Sequence, residues 1–272
     1  MRVTDQLGFL VEVPEMPRRI VSLVPSITEL LADLALDKEV LGITKFCEFP
    51  AEWHKTKVRV GGTKNPDFKA IELLNPDLII GNKEENTQEM LLKLKTRFPV
   101  WISDIETLEQ ALKMIEALGA LTRRSMMAAE LNQKIATAFR DLEPIRSPRR
   151  CLYLIWRNPY MVAGRQTFID DMLQWCGFEN VAADLEGRYP ELDEEGIRAL
   201  APDLVLLSSE PYPFKDSHAE EFKALLPKTS KCILVDGTYF SWYGSRLAES
   251  PTYFKKVISE LDEEFSGEGT AG

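Results

Sequence analysis

The sequence contains few of the residues that build metal centres and disulfide frameworks. Its 272 residues include two histidines, His54 and His218, and four widely spaced cysteines that never form a CxxC pair. With two histidines, a zinc or manganese site built on imidazole ligands is not expected. Cys151 and Cys232 each open an apolar stretch, which favours buried thiols rather than disulfides.

Positive charge and long apolar runs are also scarce. Lys and Arg number 33 against 43 Asp and Glu, which gives a formal net charge of -10. This excess of negative charge argues against nucleic acid or an anionic membrane surface as a partner. No apolar stretch approaches the roughly 20 residues that span a bilayer, and the amino-terminal residues lack the apolar core of a signal peptide. As written, the sequence predicts a cytoplasmic protein; a signal removed before residue 1 would instead place it in the periplasm.

The motifs of common enzymes are missing as well. The sequence has no GxSxG, Walker A, GxGxxG or HExxH motif. His54 and His218 lie in polar contexts at predicted helix starts, so both are expected to be exposed on the surface. We therefore expect a protein that has no catalytic residues and no covalently attached cofactor.

One pattern occurs twice in the chain. Residues 71–81 (IELLNPDLIIG) recur 126 positions later as residues 197–207 (IRALAPDLVLL). Because Pro disfavours helical dihedrals in the residue before it, Asn75 and Ala201 are expected to close two short helices. The apolar residues that follow are typical of buried strands. The repeat predicts two α/β lobes of similar build with a ligand cleft between them.

The pattern of the remaining chain agrees with this interpretation. Strands and helices alternate through residues 20–118, which predicts a parallel sheet with helices on both faces. Ser26 is expected to cap the first helix, in a capping box with Glu29. Residues 122–142 lack Gly and Pro and predict one rigid helix of about 30 Å. The predicted fold is α/β, with two Rossmann-like lobes joined by a long backbone helix. The predicted boundaries are 1–121 for the amino-terminal lobe, 122–143 for the connecting helix and 144–272 for the carboxyl-terminal lobe.

Aromatic and polar residues collect at the predicted strand ends, where open parallel sheets bind their ligands. Residues 239–243 hold four aromatic side chains without strict periodicity, and Gly lies close on either side. This pattern favours a loop that lines a ligand cleft over a core strand. Aromatic faces with an Arg and several hydroxyls suit a large, flat, partly anionic ligand. The candidate ligand-binding residues are Ser26, Phe46, Lys64 and Asn82 in the first lobe, and Trp156, Tyr189, Tyr239, Trp242, Tyr243 and Arg246 in the second.

These features together resemble a known family. Residues 19–31 (RIVSLVPSITELL), residues 60–62 (VGG), the Pro-Asp repeat and the long central helix are similar to class III, helical-backbone substrate-binding proteins of ABC importers. The resemblance implies a non-catalytic receptor that binds cobalamin or another corrinoid, haem or a ferric siderophore. It also implies an ABC permease as partner.

Within the family, the cobalamin and iron-chelate receptors are the nearest type. Phe46 matches a position where those receptors carry a ligand-facing aromatic, and Tyr189 stands where they carry Trp before Pro. Thr63 and Asn82 stand where the cobalamin type tends to carry Trp, so half of the expected aromatic cage is absent. The shortage of histidine counts against the zinc and manganese branch of the same fold.

The resemblance further implies a permease-docking residue on each lobe. Family members carry an acidic residue there, at the start of the helix before Pro-Asp. Glu195 fills this position in the second lobe, whereas the 126-residue offset places Lys69 in the first. Since a reversed charge would repel a basic permease residue, two alternatives to transport stay open. One is a cytosolic sensor of tetrapyrroles or metal chelates, and the other is a chelatase-like enzyme using carboxylates such as Glu48, Glu84 and Glu210.

Overall fold

A computed structural model describes residues 1–267, in which the chain divides into two compact units. Unit 1 comprises Met1–Ile105, Glu109–Lys134 and Tyr243–Arg246, and unit 2 comprises Glu106–Leu108, Ile135–Trp242 and the described residues from Leu247 onward. Residues 268–272 of the predicted carboxyl-terminal lobe lie outside the described residues. The lobe boundaries drawn from the sequence stay predictions. None of the helices in the described part of the chain is long and apolar enough to cross a membrane.

Unit 1 is built on a five-stranded sheet in the order β5-β4-β3-β6-β7, and every neighbouring pair is parallel. An antiparallel hairpin, β1–β2, precedes the sheet. The strands of unit 1 are β1 (Arg2–Thr4), β2 (Leu10–Glu12), β3 (Ile20–Ser22), β4 (Val40–Ile43), β5 (Val58–Arg59), β6 (Leu78–Asn82) and β7 (Val100–Ser103). The helices in this part of the chain are α1 (Pro25–Asp33), α2 (Ala51–Thr56), α3 (Phe68–Leu74), α4 (Gln88–Lys95), α5 (Leu108–Leu121) and α6 (Ser125–Arg140).

Unit 2 has a six-stranded sheet in which β8, β12, β13 and β10 are parallel, while β9 and β11 extend it in antiparallel fashion. Its strands are β8 (Arg149–Trp156), β9 (Tyr160–Val162), β10 (Phe178–Asn180), β11 (Glu191–Leu192), β12 (Leu204–Ser208) and β13 (Lys231–Val235). Its helices are α7 (Phe168–Trp175), α8 (Glu194–Leu200), α9 (Asp216–Leu225), α10 (Thr238–Ser241) and α11 (Ser250–Gly267), with a 3-10 turn at Ser245–Ala248. The predicted α/β class is thus confirmed in both units.

The repeated Pro-Asp segment has the same conformation in both units. Asn75 and Ala201 follow α3 and α8 with left-handed φ values of 42° and 44°, so both close their helices as predicted. The helices also begin alike, since the N-cap carboxylates of Asp67 and Asp193 accept the backbone N–H three residues later. These caps satisfy backbone groups that a helix end would leave without partners.

An arginine outside the repeat ties the segment to the sheet of unit 1. The carboxylate of Asp77 accepts the backbone N–H groups of Arg18 and Arg19 at 2.9 Å, which fixes the start of β3. The Arg19 Nε donates to the carbonyl oxygens of Leu74 and Asn75 at 3.0 Å. One arginine therefore satisfies carbonyl groups at the end of α3 that have no partner within the helix.

Unit 2 repeats this arrangement with different residues. Asp203 accepts the backbone N–H of Arg150 at 3.1 Å, and the Arg150 Nη2 donates to the carbonyl oxygen of Leu200 at 2.7 Å. The shared geometry explains why both copies of the repeat contain Pro followed by Asp. Pro ends the helix, and Asp fixes the start of the neighbouring strand.

The connecting helix is shorter than predicted. Helix α6 spans Ser125–Arg140 rather than residues 122–142. Arg123 has a left-handed φ of 60° and ends α5 in a Schellman motif, in which Arg124 N donates to Gly119 O at 2.7 Å and Arg123 N to Ala120 O at 3.3 Å. A Cβ at Gly119 would overlap the Cβ of Ala128, so α5 and α6 pack too closely there for any larger residue.

The predicted cap of the first helix is wrong. Helix α1 begins at Pro25, its N-cap is Val24, and no side chain caps it. Pro at the first helical position has no N–H to satisfy and a φ already suited to the helix, so the helix starts before Ser26. Glu29 consequently has a different partner, described below.

Candidate functional site

The loop after β4 exposes two phenylalanines at the carboxyl end of the unit 1 sheet. Phe46 is 52% and Phe49 44% exposed, although neighbouring Cys47 is fully buried. The backbone N–H of Lys45 donates to Gly61 O at 2.8 Å, which joins this loop to the one after β5. The Lys45 Nζ lies 5.0 Å from the centre of the Phe46 ring. This end of the sheet therefore presents exposed aromatic rings on a loop that a backbone hydrogen bond fixes, with the Lys45 cation beside the Phe46 ring.

The two glycines of the VGG motif explain how the loop after β5 folds. Gly61 has a left-handed φ of 90°, and a Cβ there would lie 2.6 Å from the backbone nitrogen of Asp67. A Cβ at Gly62 would lie 3.4 Å from Cε2 of Phe46, so the bare backbone leaves room for the ring. Lys64 is exposed in the same loop.

Asn82 stabilises this end of unit 1 through hydrogen bonds rather than contacting a ligand. It is buried at the end of β6, where its Nδ2 donates to Ser103 Oγ at 3.0 Å and Ser103 O at 3.2 Å. Its Oδ1 accepts the backbone N–H groups of Glu84 at 2.8 Å and Glu85 at 3.1 Å. Both amide protons and both lone pairs are thus engaged within unit 1, which leaves no capacity for a ligand.

Asn86 is a structural residue that the sequence did not reveal. Its Nδ2 donates to Thr63 O at 2.8 Å and Leu23 O at 3.3 Å, and its Oδ1 accepts the backbone N–H of Asn82 at 2.8 Å. This buried amide fixes three loops that follow β3, β5 and β6. An isolated Asn in a polar stretch carries no sequence signal for such a role.

Tyr243 and Arg246 belong to unit 1, not to the second lobe as predicted. Arg246 forms a two-pronged ion pair with Glu29, from Nε to Oε2 at 3.1 Å and from Nη2 to Oε1 at 2.7 Å. Its guanidinium also lies 4.8 Å from the centre of the Phe49 ring. A Cβ at Gly244 would lie 2.5 Å from the carbonyl oxygen of Ser26, itself buried, so glycine lets the segment approach α1. The charge of Arg246, predicted to meet a ligand, is neutralised within the protein, and Tyr243 is buried.

At the carboxyl end of β8 in unit 2, Trp156 belongs to an aromatic group. Its partly exposed ring packs edge-on against Tyr212 at 5.6 Å between centres, and its indole N–H donates to Asn158 O at 3.2 Å. Tyr212 in turn contacts Phe214 at 4.8 Å and His218 at 5.7 Å. This packing fixes the plane of Trp156 while leaving part of the ring accessible.

Glu210 positions Trp242 at the carboxyl end of β12. The Glu210 Oε1 accepts the indole N–H of Trp242 and the hydroxyl of Ser241, each at 2.7 Å. Ser208 adds support because its hydroxyl donates to Glu210 O at 2.5 Å and accepts from the buried Tyr153 hydroxyl at 3.1 Å. Desolvation raises the pKa of Tyr153 far above its usual value, so this phenol stays a neutral donor. The structure thus gives the carboxylate of Glu210 a positioning role.

The two remaining tyrosine candidates lie apart in unit 2. Tyr189 is half-buried in a segment attached to the end of β9, where Gly164 N donates to Arg188 O at 2.8 Å. Tyr239 stacks on Tyr253 with ring centres 4.4 Å apart and planes 15° apart. One face of Tyr239 is therefore covered by α11, whereas Tyr189 lies on an irregular loop.

The two predicted docking residues occupy matching places. Lys69 is the second residue of α3 and Glu195 the second residue of α8, and both are exposed. The helices that carry them share the same N-cap chemistry. Their opposite charges are thus presented by the same local structure.

The cysteine and histidine side chains are largely shielded from solvent, whereas reactive side chains are exposed. All four cysteines are free and buried, which confirms the burial predicted for Cys151 and Cys232, and desolvation raises the thiol pKa of Cys232 to about 12. The expectation that both histidines are exposed is wrong. His54 is half-buried and His218 is buried. The Nδ1 of His218 accepts the backbone N–H of Lys215 at 2.9 Å, which closes the first turn of α9. Among the described side chains, no group of three or more His, Cys, Asp or Glu residues is arranged to hold a metal ion.

Comparison with known sequences gives one family and several relatives. The sequence profile described as periplasmic binding protein matches residues 20–225. A vitamin B12-binding protein of Vibrio cholerae serotype O1 is 27% identical over 203 residues, which cover 72% of this chain and 72% of that protein. A vitamin B12-binding protein of Pectobacterium atrosepticum is 22% identical over 255 residues, 90% of each chain.

Solved structures agree with the fold. The periplasmic heme-binding protein RhuT from Roseiflexus sp. RS-1 matches with a TM-score of 0.74 at 26% identity, covering 90% of this chain and 98% of that one. The periplasmic vitamin B12 binding protein BtuF of Vibrio cholerae matches with a TM-score of 0.74 at 20% identity, covering 91% and 98%. At 20% identity the second likeness shows the fold alone.

Proposed function

The chain belongs to the periplasmic binding protein family, and we propose that it is the receptor of an ABC importer whose ligand is a corrinoid, haem or a ferric siderophore. The family match carries this proposal. The named relatives bind vitamin B12 or haem and are binding proteins rather than enzymes. This favours the receptor over a sensor or a chelatase-like enzyme.

Aromatic side chains at the sheet ends support a large, flat ligand. Unit 1 exposes Phe46 and Phe49, and unit 2 partly exposes Trp156 and Trp242. Aromatic rings give a macrocycle broad apolar contact at little conformational cost. Each ring is held by a neighbour, which favours a surface that is formed before the ligand arrives.

The candidate residues divide into two groups by their contacts. We propose Phe46, Lys64, Trp156, Tyr189 and Trp242 as the residues that contact the ligand. Three others have their polar groups or ring faces engaged within their own unit and support the first group; they are Asn82, Tyr239 and Arg246. Tyr243 is placed with them because its side chain is buried. Buried Ser26 joins them through its carbonyl contact with Gly244.

Truncating Phe46 tests the ligand-contact assignment. Phe46→Ala is expected to weaken binding of the chelate roughly tenfold, because losing half-buried ring contact costs about 1.4 kcal/mol. Phe9→Ala is the matched control, since Phe9 is 55% exposed and also has a lysine, Lys95, over its ring at 4.1 Å. Both affinities are measured by absorbance titration. Equal losses in the two variants would contradict a specific role for Phe46.

We also propose that Glu195 and Lys69 contact the permease. Because their charges are opposite on matching helices, the permease is expected to present a basic residue to Glu195 and an acidic residue to Lys69. A permease made of two identical halves would not offer this pair, so the proposal predicts two different halves.

Charge reversal at Lys69 tests the docking proposal. Lys69→Glu is expected to weaken binding to the importer isolated from the native host about tenfold, in surface-immobilised binding at low salt. Lys55→Glu, an exposed lysine on α2 of the same unit, is the control and should have little effect. Tighter binding of Lys69→Glu would instead indicate a permease with basic residues on both halves.

We propose the periplasm, the compartment that gives the family its name, as the location of this chain. Fractionation of the native host distinguishes this from the cytoplasmic alternative.

A further inference from the structure

Two lysines beside Phe46 carry positive charge that the described protein leaves uncompensated. Lys45 and Lys64 are both exposed, and neither forms an ion pair with another of the side chains that the structure describes. Two other cations near this end of the sheet are paired: Lys83 Nζ lies 2.6 Å from Asp104 Oδ2, and Arg246 is paired with Glu29. Arg59, at the end of β5, donates to the carbonyl oxygen of His54.

The backbone brings these two lysines to adjoining loops. Lys45 N donates to Gly61 O at 2.8 Å, and a Cβ at Gly62 would lie 3.7 Å from Cε of Lys45. The Lys45 side chain therefore runs over Gly62, two residues before Lys64. Phe46 lies in the same group, with the Lys45 ammonium 5.0 Å from its ring centre.

Of the two carboxylates near these lysines, one is exposed and one is half-buried. Glu48 is exposed in the same loop and likewise forms no ion pair with a described side chain. Desolvation raises the pKa of the buried Cys47 thiol, and the charge of half-buried Glu85 adds to that rise. Glu48 offsets one of the two lysine charges. The exposed group of Lys45, Lys64 and Glu48 therefore keeps an excess of one positive charge, on a protein whose net charge is -10.

Resting on the proposed function, we infer that the ligand is a metal chelate with carboxylate groups at its rim, and that Lys45 and Lys64 bind those carboxylates while Phe46 contacts its face. Haem has two propionates on one edge of an apolar macrocycle, and ferric citrate offers the same carboxylate chemistry without the macrocycle. A corrinoid rim consists mainly of amides, which gain little from an ammonium group. The arrangement therefore selects anionic chelates over corrinoids.

Neutralising the ligand or the lysines tests this inference in the full-length protein. At low salt, haem is expected to bind about tenfold more tightly than haem dimethyl ester, as exposed charge pairs each contribute modestly. The double variant Lys45→Gln/Lys64→Gln should lose that preference and bind both compounds alike. Lys38→Gln, at an exposed lysine before the amino end of β4, should keep it. A parallel titration with ferric citrate identifies which source of carboxylate the lysines prefer.

The possible results separate this inference from the proposed function. If wild-type protein binds haem and its ester equally, or binds cyanocobalamin more tightly than haem or ferric citrate, the carboxylate inference is wrong while the receptor function stands. If none of these chelates binds, the proposed function itself is contradicted.

Discussion

Replacing Arg246 with Met is expected to lower the free energy of unfolding by about 3 kcal/mol, because it leaves the Glu29 carboxylate without its partner. The two side chains are only 13% and 19% exposed, and two hydrogen bonds join them. The substitution also removes the cation from the face of Phe49. The loss is measured by urea denaturation, followed by both circular dichroism and tryptophan fluorescence because two units need not unfold in one step.

Two further variants separate this ion pair from a general effect of losing an arginine. Glu29→Leu/Arg246→Met should recover most of the stability, since an apolar pair of similar size leaves no buried charge. Arg2→Met breaks the exposed pair with Glu12, in which the side chains are 71% and 69% exposed, and should cost under about 1 kcal/mol. If Arg246→Met instead keeps its stability and loses only ligand affinity, the residue is a ligand contact and its structural role is wrong.

Gly237→Ala is expected to lower the free energy of unfolding by about 2 kcal/mol, through overpacking at the carboxyl end of the unit 2 sheet. A Cβ at this position would overlap Ser208 Oγ and lie 3.0 Å from Cγ of Glu210. The Ser208 hydroxyl cannot move freely because it already bonds to Tyr153 and Glu210. Since Glu210 holds the indole of Trp242, chelate affinity should also fall roughly tenfold.

Gly196→Ala provides the control for this substitution. Gly196 lies inside α8 of the same unit, and a Cβ there would lie 3.2 Å from a methyl group of Leu192 and 3.3 Å from Asp193 Oδ1, which are longer distances than those at Gly237. Ala is the better helix former, so stability should stay constant or rise by up to about 1 kcal/mol. Equal stability of Gly237→Ala and wild type would show that the Ser208 and Glu210 contacts are not tightly packed.

Sequence patterns predicted the features that depend on local chemistry. The Pro-Asp repeat predicted the two helix ends at Asn75 and Ala201, since the constraint Pro imposes acts on the adjacent residue. The buried strands after it followed from uninterrupted apolar runs. The hydrogen bonds from Arg19 and Arg150 to carbonyl groups at the helix ends were not predictable. An arginine that donates to distant carbonyl groups has the same sequence context as a surface arginine.

The candidate site was predicted less completely than the fold. Residue type identified aromatic groups such as Phe46 and Trp242 but not what holds them, because Glu210, Glu29 and Asn86 act through tertiary contacts. Arg123 stands where Gly is usual in a Schellman motif, and this hid the break before α6. The assignment of residues 243–246 to unit 1 depends on Gly244 contacting Ser26, more than 200 positions away in the chain.

Absorbance titration of the purified wild-type protein with haem, ferric citrate and cyanocobalamin tests the receptor function most directly. We predict saturable binding of at least one anionic chelate, with a dissociation constant on the order of 1 μM or below, and weaker binding of cyanocobalamin. Failure of all three to saturate the protein at concentrations up to about 1 mM would contradict the proposal that this chain is a metal-chelate receptor.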